Sequence, residues 1–370
     1  MAVSALDGRF DRGVSAGPPS PGTHALSLLA STDRTLVNAT HLTRPVSTGR
    51  APTIATRHGW TRLIVGYVSV MAVMPYLIVK LMWIFGSTAG FLVPSPLGPT
   101  VLRNGNIVTV VMELVAIGVI LAFTHSWGLR LPAWLVLVPA WVGIGLLVPF
   151  LVTGPVVAGS VFTGLSPAGD GSLAPWVGPL VYLGFGAQAI GIGASFLLYV
   201  RDRWGRVLAR RVSDRPAAGS QPALVFMGWG IGGLLVPVVA ARLVWSFGAT
   251  WGLSAEPIES RGLPERLADG ASALFAVAAI AGLLMLTRRR PARLRARMPI
   301  VLAWIGGGAT LTGAAYSLAL TVIKISGWTA AMQPMGVVPV IDLLQVVAGT
   351  AIAVVGAVLL AELNAAASPA

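Results

Sequence analysis

From residue 63 onward the chain alternates between long apolar segments and short polar ones. Each apolar segment has about 18 residues or more, the length that an α-helix needs to cross the hydrocarbon core of a bilayer. The pattern therefore predicts an all-α, polytopic membrane helix bundle with eight transmembrane helices. The predicted spans are residues 63–85, 107–124, 132–152, 176–200, 223–247, 270–287, 298–325 and 338–361.

The first 58 residues follow a different pattern. They are rich in Ser, Thr, Pro, Gly and Arg and contain no sustained apolar period. Such a segment has too little apolar surface to offset the entropy lost on ordering. Residues 1–58 are therefore predicted to be a disordered, basic cytoplasmic tail, and the apolar stretch at 24–30 is too short for a cleaved secretory signal.

Composition supports the membrane assignment and narrows the partners. Hydrophobic residues make up 55% of the chain and charged residues 11%, whereas soluble domains are about one quarter charged. The net charge of +13 would suit nucleic-acid binding, but the basic residues lie mostly in short loops beside the spans. We therefore expect membrane lipids as partners, with anionic headgroups at the cytoplasmic Arg-rich loops, and no nucleic acid.

The distribution of basic residues predicts the orientation. With alternate loops assigned to the cytoplasm, twenty Lys and Arg residues lie inside, and only Arg103, Arg261 and Arg266 lie outside. Since an excess of positive residues marks the cytoplasmic side, both termini are predicted to be cytoplasmic. The 24 arginines against two lysines are typical of a bacterium with GC-rich DNA, so the expected location is the bacterial plasma membrane.

The sequence contains an internal repeat. Residues 75–90 read PYLIVKLMWIFGSTAG, and residues 237–252 read PVVAARLVWSFGATWG. Seven of the sixteen positions are identical, and Lys80 corresponds to Arg242. The identical pairs, all 162 residues apart, are Pro75/Pro237, Leu81/Leu243, Trp83/Trp245, Phe85/Phe247, Gly86/Gly248, Thr88/Thr250 and Gly90/Gly252.

The register continues beyond these segments and defines two halves. Further pairs are Arg103/Arg266, Asn106/Asp269, Thr124/Thr287 and Trp141/Trp304, all 163 apart, and Gln188/Gln345 at a shorter offset. The predicted architecture is two four-helix membrane repeats, residues 59–215 and 216–370. Each repeat has an even number of spans, so the second repeat begins on the same side of the membrane as the first. The two repeats therefore have the same orientation and are related by an axis along the membrane normal.

Two prolines and one shared helix face bring polar groups together. A proline inside a helix removes a backbone hydrogen bond, so Pro75 and Pro237 are predicted to kink their helices near mid-membrane. Tyr76, Lys80 and Trp83 follow at spacings of four and three, which places them on one helix face.

Five ionisable residues lie within the predicted spans, where each charge costs about 2.5–3.5 kcal/mol. They are Lys80, Arg242, Lys324, Glu113 and Asp342, all in the predicted outer half. We expect Lys80 to pair with Glu113, and Asp342 to pair with Lys324 or Arg242. Three cations against two anions leave about one positive charge, which would favour an anionic ligand or a lipid phosphate.

Two simpler interpretations remain open. The three cations lie near the outer boundary, so they could extend into the headgroups, with Trp83 and Trp245 as ordinary interfacial tryptophans. Glu113 and Asp342 are too short for this, but they could belong to ion pairs that only hold helices together.

Catalytic and metal-binding patterns do not favour an enzyme. The chain has no cysteine, which excludes disulfides and thiolate sites. No usable hydrolase, Walker or dinucleotide motif is present, and no metal or cofactor is predicted. A Schiff base at Lys324 is disfavoured because that residue lies near a helix end.

The Pro-x4-[Lys/Arg]-Leu-x-Trp-x-Phe-Gly segments, the Arg-rich loops and the long polar tail resemble multi-pass membrane proteins of actinobacteria. The resemblance covers mainly residues 75–90 and 237–252. It implies a source and a membrane location, and no activity.

The leading hypothesis is a transporter-like or lipid-handling protein with an anion-favouring site between the repeats, in the outer half. The alternative is a membrane accessory, sensor or assembly subunit whose buried ion pairs are structural. The candidate ligand-binding residues are Lys80, Arg242, Lys324, Glu113, Asp342, Tyr76, Trp83, Trp245, Gln188 and Gln345.

Overall fold

The computed structural model describes residues 54–93, 98–163, 173–214, 219–254, 261–326 and 336–365. Within these ranges the chain forms eight long α-helices, and its β-structure is limited to isolated bridges. The helices are α1 (Ile54–Ile84), α2 (Gly98–Thr124), α3 (Ala133–Phe162), α4 (Val177–Ala209), α5 (Gln221–Ser246), α6 (Leu263–Arg288), α7 (Arg297–Ser326) and α8 (Val338–Ala365).

All eight helices are long and apolar enough to cross a membrane. The predicted all-α architecture is therefore confirmed for the described residues, with eight helices whose length and composition fit a multi-pass membrane protein. Several helices continue past the predicted spans: α2 begins at Gly98 and α3 ends at Phe162. The apolar pattern identifies only the part of a helix that lies in lipid, because hydrogen bonding continues a helix into the headgroup region.

The N-terminal tail lies almost entirely outside the described residues. Residues 54–58, which the sequence assigned to the tail, are the first residues of α1. The remainder of the predicted disordered tail is not covered by the structure, and that prediction stands as it was.

Pro75 and Pro237 lie inside continuous helices, α1 and α5. A continuous helix can still bend at a proline, so the two kinks remain predictions. A non-helical residue does occur inside α4, at Trp204, where φ is −129° and ψ is 22°.

Small residues let the helices approach closely. Gly282 of α6 and Gly306 of α7 lie directly against the facing backbone, so that a Cβ added at Gly306 would be 2.5 Å from the carbonyl oxygen of Phe275. Association of helices in lipid depends on such packing, because the surrounding lipid tails are as apolar as leucine. The α6–α7 pair is therefore held by backbone contact.

The two halves meet where α3 packs against α7. The indole Nε1 of Trp141 donates a hydrogen bond to the carbonyl oxygen of Trp304, at 2.8 Å. One turn further along α3, Gly145 lies against the backbone of Gly308. These contacts join residues that the sequence register places in corresponding positions.

The described interior contains two large apolar clusters and a small third one around Ala271, Phe275 and Ala309. One large cluster lies among α5, α6 and α8 and includes Leu235, Trp245 and Leu283. The other large cluster lies among α2, α3 and α4 and includes Phe123 and Tyr199. The outward faces carry many exposed apolar side chains, as expected of helices whose solvent is lipid.

The close contact of α6 with α7 makes a paired prediction about two glycines. Gly306→Ala should destabilise the protein by about 1–3 kcal/mol, because its methyl group meets fixed backbone atoms. The corresponding exchange in α3, Gly143→Ala, should be neutral or slightly stabilising, since its Cβ would meet only the side chain of Ile192, at 3.9 Å. Both changes raise helix propensity equally. The difference between the melting temperatures of the two variants in detergent therefore measures the cost of the steric contact at Gly306. Equal shifts would contradict the described contact.

Candidate functional site

Lys80 and Glu113 form a buried ion pair between α1 and α2. The distance from Lys80 Nζ to Glu113 Oε1 is 2.7 Å, and the side chains are 2% and 6% exposed. This pairing was predicted from the sequence and is confirmed. The interpretation that Lys80 extends into headgroup water is wrong, because its ammonium already has an anionic partner inside the bundle.

Two aromatic rings surround the Lys80 ammonium. Lys80 Nζ lies 4.1 Å from the ring centroid of Tyr76 and 5.4 Å from that of Phe185. The two rings are 5.2 Å apart and perpendicular. Because the face of an aromatic ring carries negative charge, both rings stabilise the ammonium. Tyr76 lies one turn before Lys80 on α1, as predicted, whereas Phe185 belongs to α4.

Glu113 is only partly satisfied. Its Oε1 accepts the hydrogen bond from Lys80, but its Oε2 is buried without a hydrogen-bond partner among the described residues. A buried polar atom left in this state costs free energy. Gln188, also predicted for the site, is buried on α4 one turn after Phe185.

Arg242 of α5 forms a second and larger cluster. Its Nη1 lies 2.7 Å from Asp269 Oδ1, and its Nη2 donates to Asp342 Oδ1. Its Nε and Nη2 also donate to Gln345 Oε1, at 3.2 and 2.9 Å. The planar guanidinium is suited to this arrangement, since its donors point in fixed directions toward several acceptors. Of the two partners proposed for Asp342, the described one is Arg242.

The remaining oxygens of these two carboxylates are also bonded. Ser317 Oγ of α7 donates to Asp342 Oδ2 at 2.6 Å, and Arg261 Nη2 donates to Asp269 Oδ2. Gln345 Nε2 in turn donates to Ser272 Oγ at 3.0 Å. The Arg242 cluster therefore ties α5, α6, α7 and α8 together, and each of its four carboxylate oxygens accepts a hydrogen bond.

Each of the two tryptophans proposed to line a pocket donates a hydrogen bond to the turn that follows its helix. Trp83 Nε1 donates to the carbonyl oxygen of Ala89 at 2.7 Å, and Trp245 Nε1 donates to that of Trp251 at 2.8 Å. Trp245 is completely buried, so it is not an interfacial residue. In both cases the indole fixes the chain that leaves the helix.

The glycines in these turns explain why the sequence motif is shared. Gly86 and Gly248 have φ values of 88° and 94°, in the left-handed region that side chains with a Cβ rarely adopt. Each follows its helix by two residues, so the motif encodes a helix end and the turn after it.

The predicted charges whose side chains are described fall into two separate groups. Within the described residues no hydrogen bond or ion pair joins the Lys80 pair to the Arg242 cluster. Lys324 lies in the last turn of α7, but its side chain is outside the described part of the structure.

Sequence reasoning missed four members of the Arg242 cluster, which are the charged residues Arg261 and Asp269 and the hydroxyl residues Ser272 and Ser317. Arg261 was assigned to an outer loop, and Asp269 was placed just before a span. The signal for Asp269 was present, because it matches Asn106 in the repeat register and Asn106 is also buried. With Arg261 and Asp269 included, three cations face three anions in the Lys80 pair and the Arg242 cluster.

Comparison with known proteins supplies no further information. The chain matches no family model, and the searches of curated proteins and of solved structures find no match. The functional argument therefore depends on the geometry above.

The filled Arg242 cluster predicts a large loss of stability when its cation is removed. Arg242→Met leaves Asp342 buried without its counter-charge and Asp269 with Arg261 alone, which should cost about 3–5 kcal/mol. The matched control is Arg288→Met, which removes an exposed arginine that lies 5.3 Å from the ring of Trp229.

Thermal denaturation in detergent measures both variants. Adding Asp342→Asn to Arg242→Met should recover part of the loss, because Asp342 is then neutral and Asp269 keeps its bond to Arg261. A melting temperature unchanged by Arg242→Met would show that the cluster does not hold the second half together.

Proposed function

We propose that this is a transporter-like membrane protein whose working site is the Lys80–Glu113 pair. The observation that carries the proposal is the buried Glu113 Oε2, which has no hydrogen-bond partner among the described residues. Intramembrane carboxylates that are not fully paired are typical of ion pathways and proton relays. In this proposal Glu113 exchanges a proton or a ligand, and Lys80 responds to that change.

The contrast with the Arg242 cluster supports this assignment. Each oxygen of Asp269 and Asp342 has a described donor, whereas Glu113 has one bonded oxygen of two. A group with all its bonds made is costly to move, and a group held by one bond is much less so. The exchange is proposed to take place in the first half. The Arg242 cluster of the second half is proposed to hold its helices in fixed positions.

The charge count limits what can be proposed about the ligand. In the Lys80 pair and the Arg242 cluster, the cations Lys80, Arg242 and Arg261 face the anions Glu113, Asp269 and Asp342. The predicted surplus of positive charge therefore depends on Lys324. The proposed preference for an anionic ligand depends on the same residue. A solute or a lipid remains the proposed cargo, and the assay below separates the two.

We also propose that the halves are a parallel duplication related by a two-fold axis along the membrane normal. Residues beside such an axis contact their own counterparts. Trp141 bonds to its counterpart Trp304, and Gly145 touches Gly308. The matched indole bonds and turn glycines of the two motifs lend further support.

The halves differ where their anions lie. In the repeat register Glu113 corresponds to Ala276, and Asp342 corresponds to Phe185. The same helix frame thus holds a lysine between rings in one half and an arginine among carboxylates in the other. This difference supports separate roles for the two halves.

The alternative function is an accessory, sensor or assembly subunit without transport. The Arg242 cluster favours it, because that cluster is an ion network whose groups are already paired. The alternative treats the Lys80–Glu113 pair in the same way, as a contact that only joins α1 to α2. A variant at Glu113 separates the two proposals.

Glu113→Gln should strongly reduce transport, and thermal denaturation in detergent checks that the variant folds although Lys80 loses its counter-charge. Purified protein in liposomes containing a pH-sensitive dye would be tested against panels of organic anions, organic cations and alkali salts under a pH gradient. A fluorescent phosphatidylglycerol reports lipid movement in a parallel assay. We expect a response from the unmodified protein to at least one cargo, and an initial rate at least about ten-fold lower for Glu113→Gln, because general acid–base groups contribute factors of this size or larger.

The matched control is Glu265→Gln, at an exposed position at the start of α6. Its glutamine keeps the side-chain oxygen that accepts a hydrogen bond from the Gly262 backbone, so transport should be unchanged. Transport that is unaffected by Glu113→Gln, or absent for every cargo, would favour the accessory function.

Orientation and lipid partners are part of the same proposal. Both termini are proposed to face the cytoplasm of a bacterial cell, with anionic lipids at the Arg-rich loops. The α4–α5 and α6–α7 connections are joined there by a bridge between Arg211 and Arg295, which holds basic segments side by side.

Reporter fusions test the orientation. A fluorescent protein at the C-terminus should be bright, and alkaline phosphatase inserted at 164–172 should be active, because only the latter folds outside the cytoplasm. Active phosphatase at the C-terminus would reverse the proposed topology.

A further inference from the structure

We infer that the Lys80–Glu113 site is a binding site for a small monovalent cation, and that the Lys80 ammonium occupies this site until a cation displaces it. This inference rests on the proposed function, because it names the ligand class of the same site. It reverses the expectation of an anionic ligand.

The groups around Lys80 Nζ are those that bind cations. A carboxylate oxygen lies at 2.7 Å, and the faces of two aromatic rings lie on other sides, at 4.1 and 5.4 Å from the ring centroids. Ring faces carry negative charge and repel anions. A carboxylate together with ring faces therefore recognises a positively charged ligand, and the lysine side chain supplies one from within the chain.

The second oxygen of Glu113 provides the place where exchange begins. Glu113 is 5% exposed, and its Oε2 is buried without a partner among the described residues. A cation that reaches Oε2 contacts the carboxylate while Oε1 still accepts the hydrogen bond from Lys80. Direct competition for the carboxylate then follows, because one carboxylate neutralises one cation.

Lys80 is placed to leave the site when it is displaced. It lies four residues before the end of α1 at Ile84, and its flexible stem lets the ammonium extend toward the headgroups. The Arg242 guanidinium is different, since it is held by two carboxylates and a glutamine. Exchange is therefore assigned to Lys80 alone.

The chain offers an unusually specific probe of this exchange. Its only lysines are Lys80 and Lys324, so Lys324→Arg leaves Lys80 as the single lysine side chain. An amine-acylating reagent applied at fixed pH to protein in lipid nanodiscs then labels Lys80 in proportion to its exposure. Peptide mass spectrometry separates this label from that on the N-terminal amine.

The titrated ligands are the chlorides of lithium, sodium, potassium and caesium, which do not react with the acylating reagent. Tetraethylammonium chloride, which has no N–H to acylate, keeps the ionic strength constant and serves as the bulky cation control. If a cation displaces Lys80, acylation should rise at least five-fold and saturate with at least one of the four. Acylation that stays low in all four, or that rises equally with tetraethylammonium, overturns the inference.

Two variants in the Lys324→Arg background define the site. Glu113→Gln should give high acylation that no cation changes, because the anchoring carboxylate is gone. Tyr76→Leu removes one ring face and should raise the half-saturating cation concentration at least three-fold. Should Glu113→Gln fail to fold, the Tyr76→Leu titration decides alone, and an unchanged half-saturating concentration counts against the site.

The labelling result is separate from the transport result. Cation-dependent labelling without any transport would preserve the cation site and remove the transporter proposal. Transport that requires Glu113, with labelling indifferent to cations, would keep the working site and overturn the ligand class.

Discussion

A charge that leaves water for a bilayer must find its counter-charge within the protein, and this constraint organises the structure. Lys80 and Arg242 lie near the ends of two similar helices, each at the depth where an unpaired charge would be costly. Acids on neighbouring helices meet them: Glu113 meets Lys80, while Asp269 and Asp342 meet Arg242. These pairs fix which helices become neighbours, and the small-residue contacts then determine how closely they pack.

The same helix-and-turn frame carries two different polar interiors. A tryptophan that bonds to the following turn and a glycine with positive φ recur in both halves. The anions do not recur, because Ala276 and Phe185 occupy the positions that correspond to Glu113 and Asp342. The shared helix and turn determine where the basic side chain lies in the bundle, and the neighbouring helices determine which groups it contacts. A frame of this kind can diverge in function without a change of fold.

The sequence was sufficient for the fold and for one ion pair, but not for the grouping of the charges. Eight apolar segments identify eight helices because lipid permits few other structures. The pairing of Lys80 with Glu113 followed from their similar depth on adjacent spans. Hydropathy placed Asp269 and Arg261 at a span boundary, although helix packing buries both. Depth can be inferred from one sequence, whereas the direction in which a side chain points around its helix requires the packing.

The choice of lysine at position 80 follows from the acceptors around it. One carboxylate oxygen and two ring faces suit a compact point charge, whereas the three acceptors of the Arg242 cluster suit a planar fork. A purely structural pair could be completed by a hydroxyl, as Ser317 completes Asp342. Among the described residues no such donor reaches Glu113 Oε2. The open oxygen of Glu113 is thus what distinguishes the first half from the second, and it lies where an incoming ligand would need an acceptor.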